Sequence, residues 1–288
     1  MLQEIAALPA SVHITIAFLF SLLVGSFLNV VIFRYPKMIF HSWTQQSREW
    51  LELKVEETTA PPSLSKPPSH CRVCKAPVKA WQNIPLISFL ILRGKCSTCK
   101  TPIGLRYPFV ELLTACLSAL VVYKLGWGLA AMFGVLLSWI LVTLSFIDID
   151  HKILPDEIVL PTLWLGLGLN LWAIYTDIQS AVIGAIAGYL CFWLVFQLFL
   201  LLTKKEGMGH GDFKLMALLG AWLGWQFLPQ IVFLSTLLGA ILGITMMLFN
   251  KSGRETKIPF GPYIAGAGWI ALLWGNNINQ AYLNYAGL

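Results

Sequence analysis

The chain has 288 residues, 57% of them hydrophobic and 12% charged, with a mean hydropathy of +0.71. A soluble globular domain carries about 45–50% apolar and about 25% charged residues, and half the usual charge cannot coat a molecule of this size in water. Composition therefore excludes a soluble enzyme, a disordered hub and a secreted disulfide scaffold, and it reads as an all-α polytopic membrane protein.

Apolar runs broken by polar or turn residues mark eight segments, at 12–33, 107–124, 128–147, 157–175, 179–202, 213–227, 230–249 and 260–275. A helical span takes about 20 apolar residues, so eight use about 160 and leave only short connections outside one polar block. That block, 34–106, divides the chain into a first transmembrane helix at 1–33, a cytoplasmic metal-binding domain at 34–106 and a membrane core at 107–288. No Lys or Arg precedes the first segment, and Arg34 and Lys37 follow it. It is therefore expected to be kept in the membrane and not cleaved as a signal.

The block at 34–106 holds 12 of the 20 Lys and Arg residues but only 4 of the 14 acidic ones. Within it, Cys71-x-x-Cys74 is followed after 21 residues by Cys96-x-x-Cys99. Two pairs at this spacing can bring four thiolates to one tetrahedral zinc ion. Arg72, Lys75, Lys95 and Lys100 flank the cysteines, and positive charge favours the thiolate form that binds metal. A reducing cytoplasmic location disfavours disulfides. A closed four-thiolate site leaves no open coordination position, so its role is structural. Residues 52–69, with Pro61, Pro62, Pro67 and Pro68, read as a linker. A block this small needs such a staple to fold. Cys116 and Cys191 lie in apolar runs, where free Cys behaves as a small hydrophobe.

In the later segments small residues recur four apart, at Gly184 and Gly188, Gly220 and Gly224, and Gly239 and Gly243. Such spacing lets helix backbones approach closely in lipid. With the polar block inside, the eight-span count puts 19 of the 20 Lys and Arg residues on the cytoplasmic side, Lys124 excepted. Lys152, Lys204, Lys205, Lys214, Lys251, Arg254 and Lys257 all contribute to that tally. Both termini then face away from the cytoplasm. The net charge of +6 is thus a topology signal, and no nucleic-acid partner is expected.

Carboxylates at membrane depth are expensive and default to functional candidates. One cluster, Asp148-Ile149-Asp150-His151-Lys152-Ile153-Leu154-Pro155-Asp156-Glu157, links the third and fourth segments. A second, Gly207-Met208-Gly209-His210-Gly211-Asp212-Phe213-Lys214, opens the sixth. Both fall on the cytoplasmic side by the charge count. Two aspartates meeting at one site can hold a proton between them. The ionised member takes a proton from water while the protonated member donates to the scissile carbonyl. That is aspartic-protease chemistry, and Gly209 and Gly211 would let a substrate backbone come close. Asp150, Asp156 and Glu157 also suit a solvated or helix-capping role, and residue type alone does not choose Asp148 over Asp150. His151 and His210 are single histidines without ligand partners at metal spacing. Asp177 is expected on the outer side, and Glu111 either pairs with Arg106 or lines the site.

These motifs together resemble one family, the type IV prepilin peptidases, membrane aspartyl proteases of bacteria. The likeness runs over nearly the whole chain. It takes in Gly25-Ser26-Phe27-Leu28-Asn29-Val30-Val31, the two Cys-x-x-Cys pairs, Asn83-Ile84-Pro85-Leu86 and Arg106-Tyr107-Pro108. It continues through Ile147-Asp148, Leu154-Pro155-Asp156, Gly209-x-Gly211-Asp212 and Pro259-Phe260-Gly261-Pro262. The resemblance implies Asp148 and Asp212 as catalytic aspartates, with Asp150 and Asp156 ranked second beside Gly209 and Gly211. It implies cleavage of the basic leader from type IV prepilins and secretion-system pseudopilins at the cytoplasmic boundary of the bacterial inner membrane. It further implies methylation of the new N-terminus, with S-adenosylmethionine as donor. No strand–glycine-loop–helix unit suited to a nucleoside cofactor is readable, so the donor-binding residues stay unassigned; Gly94 and Lys95 beside the cysteines offer a candidate surface. Two other classes compete: a proton- or cation-coupled transporter using the same carboxylates, and a zinc-anchored membrane adaptor that leaves both acidic motifs idle. Oligomeric state is not specified by the sequence.

Overall fold

The computed structural model describes residues 8–53, 61–204, 208–249 and 259–287. Lys205, Gly207, Lys251, Arg254 and Lys257 of the charge and motif readings lie outside these, as does the middle of the linker. The described residues form helices without a β-sheet, and each of the eight apolar segments overlaps one of the longer helices. Five of them are long and apolar enough to cross a membrane: Ala10–Trp50, Arg106–Leu125, Leu129–His151, Ile178–Thr203 and the stretch Trp225–Thr245. The chain divides into two compact units, residues 1–123 and 124–288.

The first unit is built on α1 (Ala10–Trp50), with the short α2 (Ile87–Ile91) and most of α3 (Arg106–Leu125). Here α1 runs well past residue 33. The first charge after the apolar run, Arg34, is buried and donates to the Ser63 and Leu64 carbonyls. Arginine is a good helix former, so the charge that closes the apolar run does not end the helix. Pro36 is also buried inside α1. The Gly25 to Asn29 motif has a packing role. A Cβ at Gly25 would lie 2.8 Å from the Glu111 Cα, so glycine lets α1 and α3 touch backbone to backbone. One turn on, the Asn29 amide donates to the Tyr107 carbonyl, 3.1 Å away, and ties α1 to the start of α3.

The second unit holds α4 (Leu129–His151), α5 (Asp156–Asn170), α6 (Ile178–Thr203), α7 (His210–Leu223), α8 (Leu228–Phe249) and α9 (Gly261–Ala286). Helix α7 is central. From Asp212 to Leu223 every residue except Lys214 is buried, among neighbours on α5, α6 and α9. A short helix can occupy this place because its neighbours, and not lipid, solvate it. The paired glycines explain the tightest approach: Gly184 and Gly220 face each other, and a Cβ on either would run into the other's backbone carbonyl. A Cβ at Gly188 would meet the Met216 carbonyl at 2.7 Å. Gly224 has a different task. It ends α7 at φ +93°, a conformation that L side chains rarely adopt.

The far end of α7 is tied to α5 by directional bonds. The Asn170 amide donates to the Ala221 and Trp222 carbonyls while its oxygen accepts from the Tyr175 and Thr176 N–H groups. The Trp222 indole donates to the Thr162 carbonyl at 2.8 Å, and Gly166 makes room for that ring. Asp177 caps α6 by accepting from the Ser180 N–H. Those bonds hold its carboxyl below the ordinary range. Helix α9 continues to Ala286, eleven residues past the apolar run that ends at 275, through a polar Asn- and Gln-bearing stretch.

Candidate functional site: two aspartates and four cysteines

Asp148 sits in the last turn of α4, which ends at Lys152 in the left-handed conformation. Its side chain is 5% exposed. Its Oδ2 accepts the Gly261 N–H at 2.9 Å, at the first residue of α9. A free backbone donor at a helix start favours a carboxylate. A Cβ at Gly261 would lie 2.7 Å from that oxygen, so only glycine lets the N–H come this close without displacement. Asp212 lies in the first turn of α7 and is 7% exposed.

Leu154 joins the two. A Cβ at Gly211 would meet the Leu154 Cβ at 2.8 Å, and one at Gly261 would meet its Cδ2 at 3.3 Å. The connection from α4 to α5 is thus wedged between the starts of α7 and α9, and the charge of Asp148 acts on Asp212. The structure brings Asp148, Asp212, Gly209 and Gly211 together. Gly211 is spoken for by Leu154, whereas Gly209 is exposed, with only the Asp212 Oδ2 near its missing Cβ. Two buried carboxylates at one site can share a proton and divide acid from base work.

The other candidates go elsewhere. Asp150 and His151 are exposed. Asp156, in the first turn of α5, places both carboxylate oxygens 2.7 Å from Lys214 Nζ. His210 is exposed, with its ring against Phe196 and Phe213 at centroid distances of 5.1 and 5.5 Å. Glu111, in the first unit, is buried and accepts the Leu86 N–H at 3.0 Å, anchoring the residue before α2. Gly261 is the site residue that sequence reasoning passed over. The signal was present in Pro259-Phe260-Gly261-Pro262, a helix start with proline just inside it.

The four cysteines of the polar block form a second candidate centre. Cys71, Cys74, Cys96 and Cys99 have their sulfurs all within 4.8 Å of one another. The Cys71–Cys99 and Cys74–Cys96 sulfur pairs are 3.7 and 4.0 Å apart. Tetrahedral bonds of about 2.3 Å from sulfur to zinc put sulfurs about 3.8 Å apart, so spacing and donor type both fit a metal. The two halves repeat one turn. Cys71 donates its N–H to Ala76 and accepts from Lys75, and Cys96 does the same with Thr101 and Lys100. Lys75 and Lys100 both take φ of 59°, and bridges His70 to Pro77 and Lys95 to Pro102 close each loop. The Thr101 hydroxyl and N–H hold the Cys99 thiol down at about 6. For Cys74 the Ala76 N–H favours the thiolate, but desolvation and the neighbouring sulfurs outweigh it and push the thiol up to about 11. Four thiolates this close repel one another unless a cation joins them. Gly94 has a packing reason: it takes φ +66°, and its missing Cβ would lie 2.9 Å from the Phe89 ring.

A family model described as the bacterial peptidase A24 N-terminal domain matches residues 19–125, and one described as the type IV leader peptidase family matches residues 135–244. A prepilin leader peptidase/N-methyltransferase from Stutzerimonas stutzeri is 52% identical over 272 residues, covering 94% of this chain and 94% of that protein. Its namesake in Pseudomonas aeruginosa is 50% identical over 287 residues, 100% of this chain and 99% of that protein. The Aeromonas hydrophila relative is 50% identical over 286 residues, 98% of each chain. No solved structure matches the chain.

Proposed function

The chain belongs to the type IV leader peptidase family, and we propose that it is a membrane aspartyl endopeptidase that removes the basic leader from type IV prepilins and pseudopilins. The observation that carries this reading is the meeting of Asp148 and Asp212, both buried, around Leu154. The ionised carboxylate takes a proton from a water molecule as that water attacks the scissile carbonyl carbon. The other, protonated, gives its proton to the carbonyl oxygen. Collapse of the tetrahedral species breaks the C–N bond, and a proton passes to the departing amine. The Gly261 N–H orients Asp148 throughout.

The apolar helices and the relatives fit a bacterial inner-membrane protein. Eight spans, with residues 34–106 and both aspartates on the cytoplasmic side and both termini opposite, account for the charge distribution. A substrate with a basic leader in the cytoplasm and an apolar helix in the bilayer would then present its cleavage bond at that boundary. Zinc is the metal we assign to Cys71, Cys74, Cys96 and Cys99. It would hold the two turns of the 34–106 block together and supply folding energy to it. The relatives' name supports a second activity, transfer of a methyl group from S-adenosylmethionine to the newly exposed N-terminal amine.

The test is incubation of purified enzyme with a peptide bearing a basic leader, Gly at the cut and an apolar helix beginning with Phe. Mass spectrometry should show the leader released and, with labelled donor present, label on the product's N-terminal nitrogen. An intact peptide overturns the protease reading. Cleavage without label overturns the methyltransferase alone.

A further inference from the structure

Helix α7 carries Asp212 and is buried from that residue to Leu223 with one break, Lys214. The residues of α7 that face α5, α6 and α9 are mostly apolar or glycine, and their packing supplies shape without directional bonds. Directional ties are few. At the far end Asn170 and Trp222 fasten α7 to α5. At the near end, among the described residues, stands an ion pair in which Lys214 Nζ lies 2.7 Å from both oxygens of Asp156. Asp156 opens α5, two residues after Leu154, the side chain wedged between Gly211 and Gly261.

We propose that Lys214 and Asp156 are positioning residues for proteolysis, a clamp that fixes the rotation and register of α7 so that Asp212 is held against Asp148. The proposal rests on the protease reading above. Two residues on a helix are about 200° apart, so Lys214 reaches outward to α5 while Asp212 faces inward. A rotation that broke one contact would displace the other. Catalytic groups must stay within about 0.5 Å and about 10–20° of productive geometry, and one residue of slip along α7 is about 1.5 Å.

The side chains of the pair are 30% and 49% exposed. Exposed ion pairs add little to global stability, so the clamp separates geometry from folding. Asp156 is thereby occupied by a cation and is not a spare acid or base. Asp212 and the Leu154 wedge are left to the reaction, while the pair holds their spacing.

The experiment compares wild type, Lys214→Met, Asp156→Asn, the double variant and Lys214→Arg, all purified in one detergent, on the leader peptide above. Each single variant is expected to lower kcat about tenfold, with KM within about twofold and an unchanged melting temperature. The double variant should be no worse than either single, and Lys214→Arg should retain most of the wild-type kcat. Singles within twofold of wild type overturn the clamp. So do effects that multiply to about a hundredfold in the double, a change in KM in place of kcat, or a fall in melting temperature that accounts for the lost activity. If wild type itself fails to cleave, the protease reading falls instead.

Discussion

Replacing Gly261 by alanine should damage catalysis far more than folding, and the structure sets the size of both effects. The new Cβ would stand 2.7 Å from Asp148 Oδ2, 3.2 Å from its Cγ and 3.3 Å from Leu154 Cδ2. Ordinary contacts between heavy atoms begin near 3.5 Å, so the carboxylate must retreat by about half an ångström or more. Its bond to the Gly261 N–H bends as it does. A misplacement of about 1 Å can lower turnover about 10²-fold, so half that shift implies roughly tenfold, or about 1.4 kcal/mol of barrier. Folding is affected less. Overpacking costs about 1–3 kcal/mol, and a carboxylate at the end of a side chain can yield. Gly266→Ala is the control, since nothing lies within 4 Å of its missing Cβ on the same helix. The assay is kcat/KM on the leader peptide, with thermal unfolding followed by circular dichroism. Gly261→Ala cleaving within twofold of wild type would refute the claim that this N–H orients Asp148.

Three more outcomes follow from the same geometry. Gly184→Val puts side-chain volume into the backbone contact with Gly220; it should destabilise the second unit by about 3 kcal/mol or more, and an unchanged melting temperature would contradict that. Cleavage should show a bell-shaped pH dependence of kcat/KM, because one carboxylate must be ionised and its partner protonated; a profile that rises to a plateau without falling would argue against a shared proton. In the cysteine centre, metal binding needs the four sulfurs as thiolates, so protons compete with the metal as pH falls. Bound metal, read by elemental analysis, should therefore be lost in acid and in Cys99→Ser; protein that never carries stoichiometric metal refutes the assignment.

Much of the fold was legible because lipid demands long apolar runs, and run length is visible in sequence. The end of α1 was not. The apolar run stops at Arg34, but helix and apolar run need not end together, and the Ser63 and Leu64 carbonyls that solvate the buried guanidinium are not visible in any local pattern. Asp148 and Asp150 look alike as residue types, and burial on one side of a helix separates them: Asp148 is 5% exposed, whereas Asp150 is exposed. The glycines of the second acidic motif were readable as close approaches, but their partner was not, since Leu154 reaches Gly211 across more than fifty residues. Gly261 and Lys214 escaped for the same reason. Each acts through a contact between elements far apart in the chain, and neither has chemistry that singles it out. The doubled turn around the cysteines was present in Cys71-Arg72-Val73-Cys74-Lys75-Ala76-Pro77 and Cys96-Ser97-Thr98-Cys99-Lys100-Thr101-Pro102, and the repeat becomes plain once the shared hydrogen bonds are seen.

The most direct measurement is leader-peptide cleavage by Asp148→Asn, Asp212→Asn and Asp150→Asn beside wild type, each checked for folding. Asparagine keeps size and polarity but cannot cycle a proton, so acid–base work is removed and packing is kept. The first two are expected to lose about 10³-fold or more in turnover, with Asp150→Asn close to wild type. Near-normal cleavage by folded Asp148→Asn or Asp212→Asn would contradict the dyad and return the search to the remaining carboxylates.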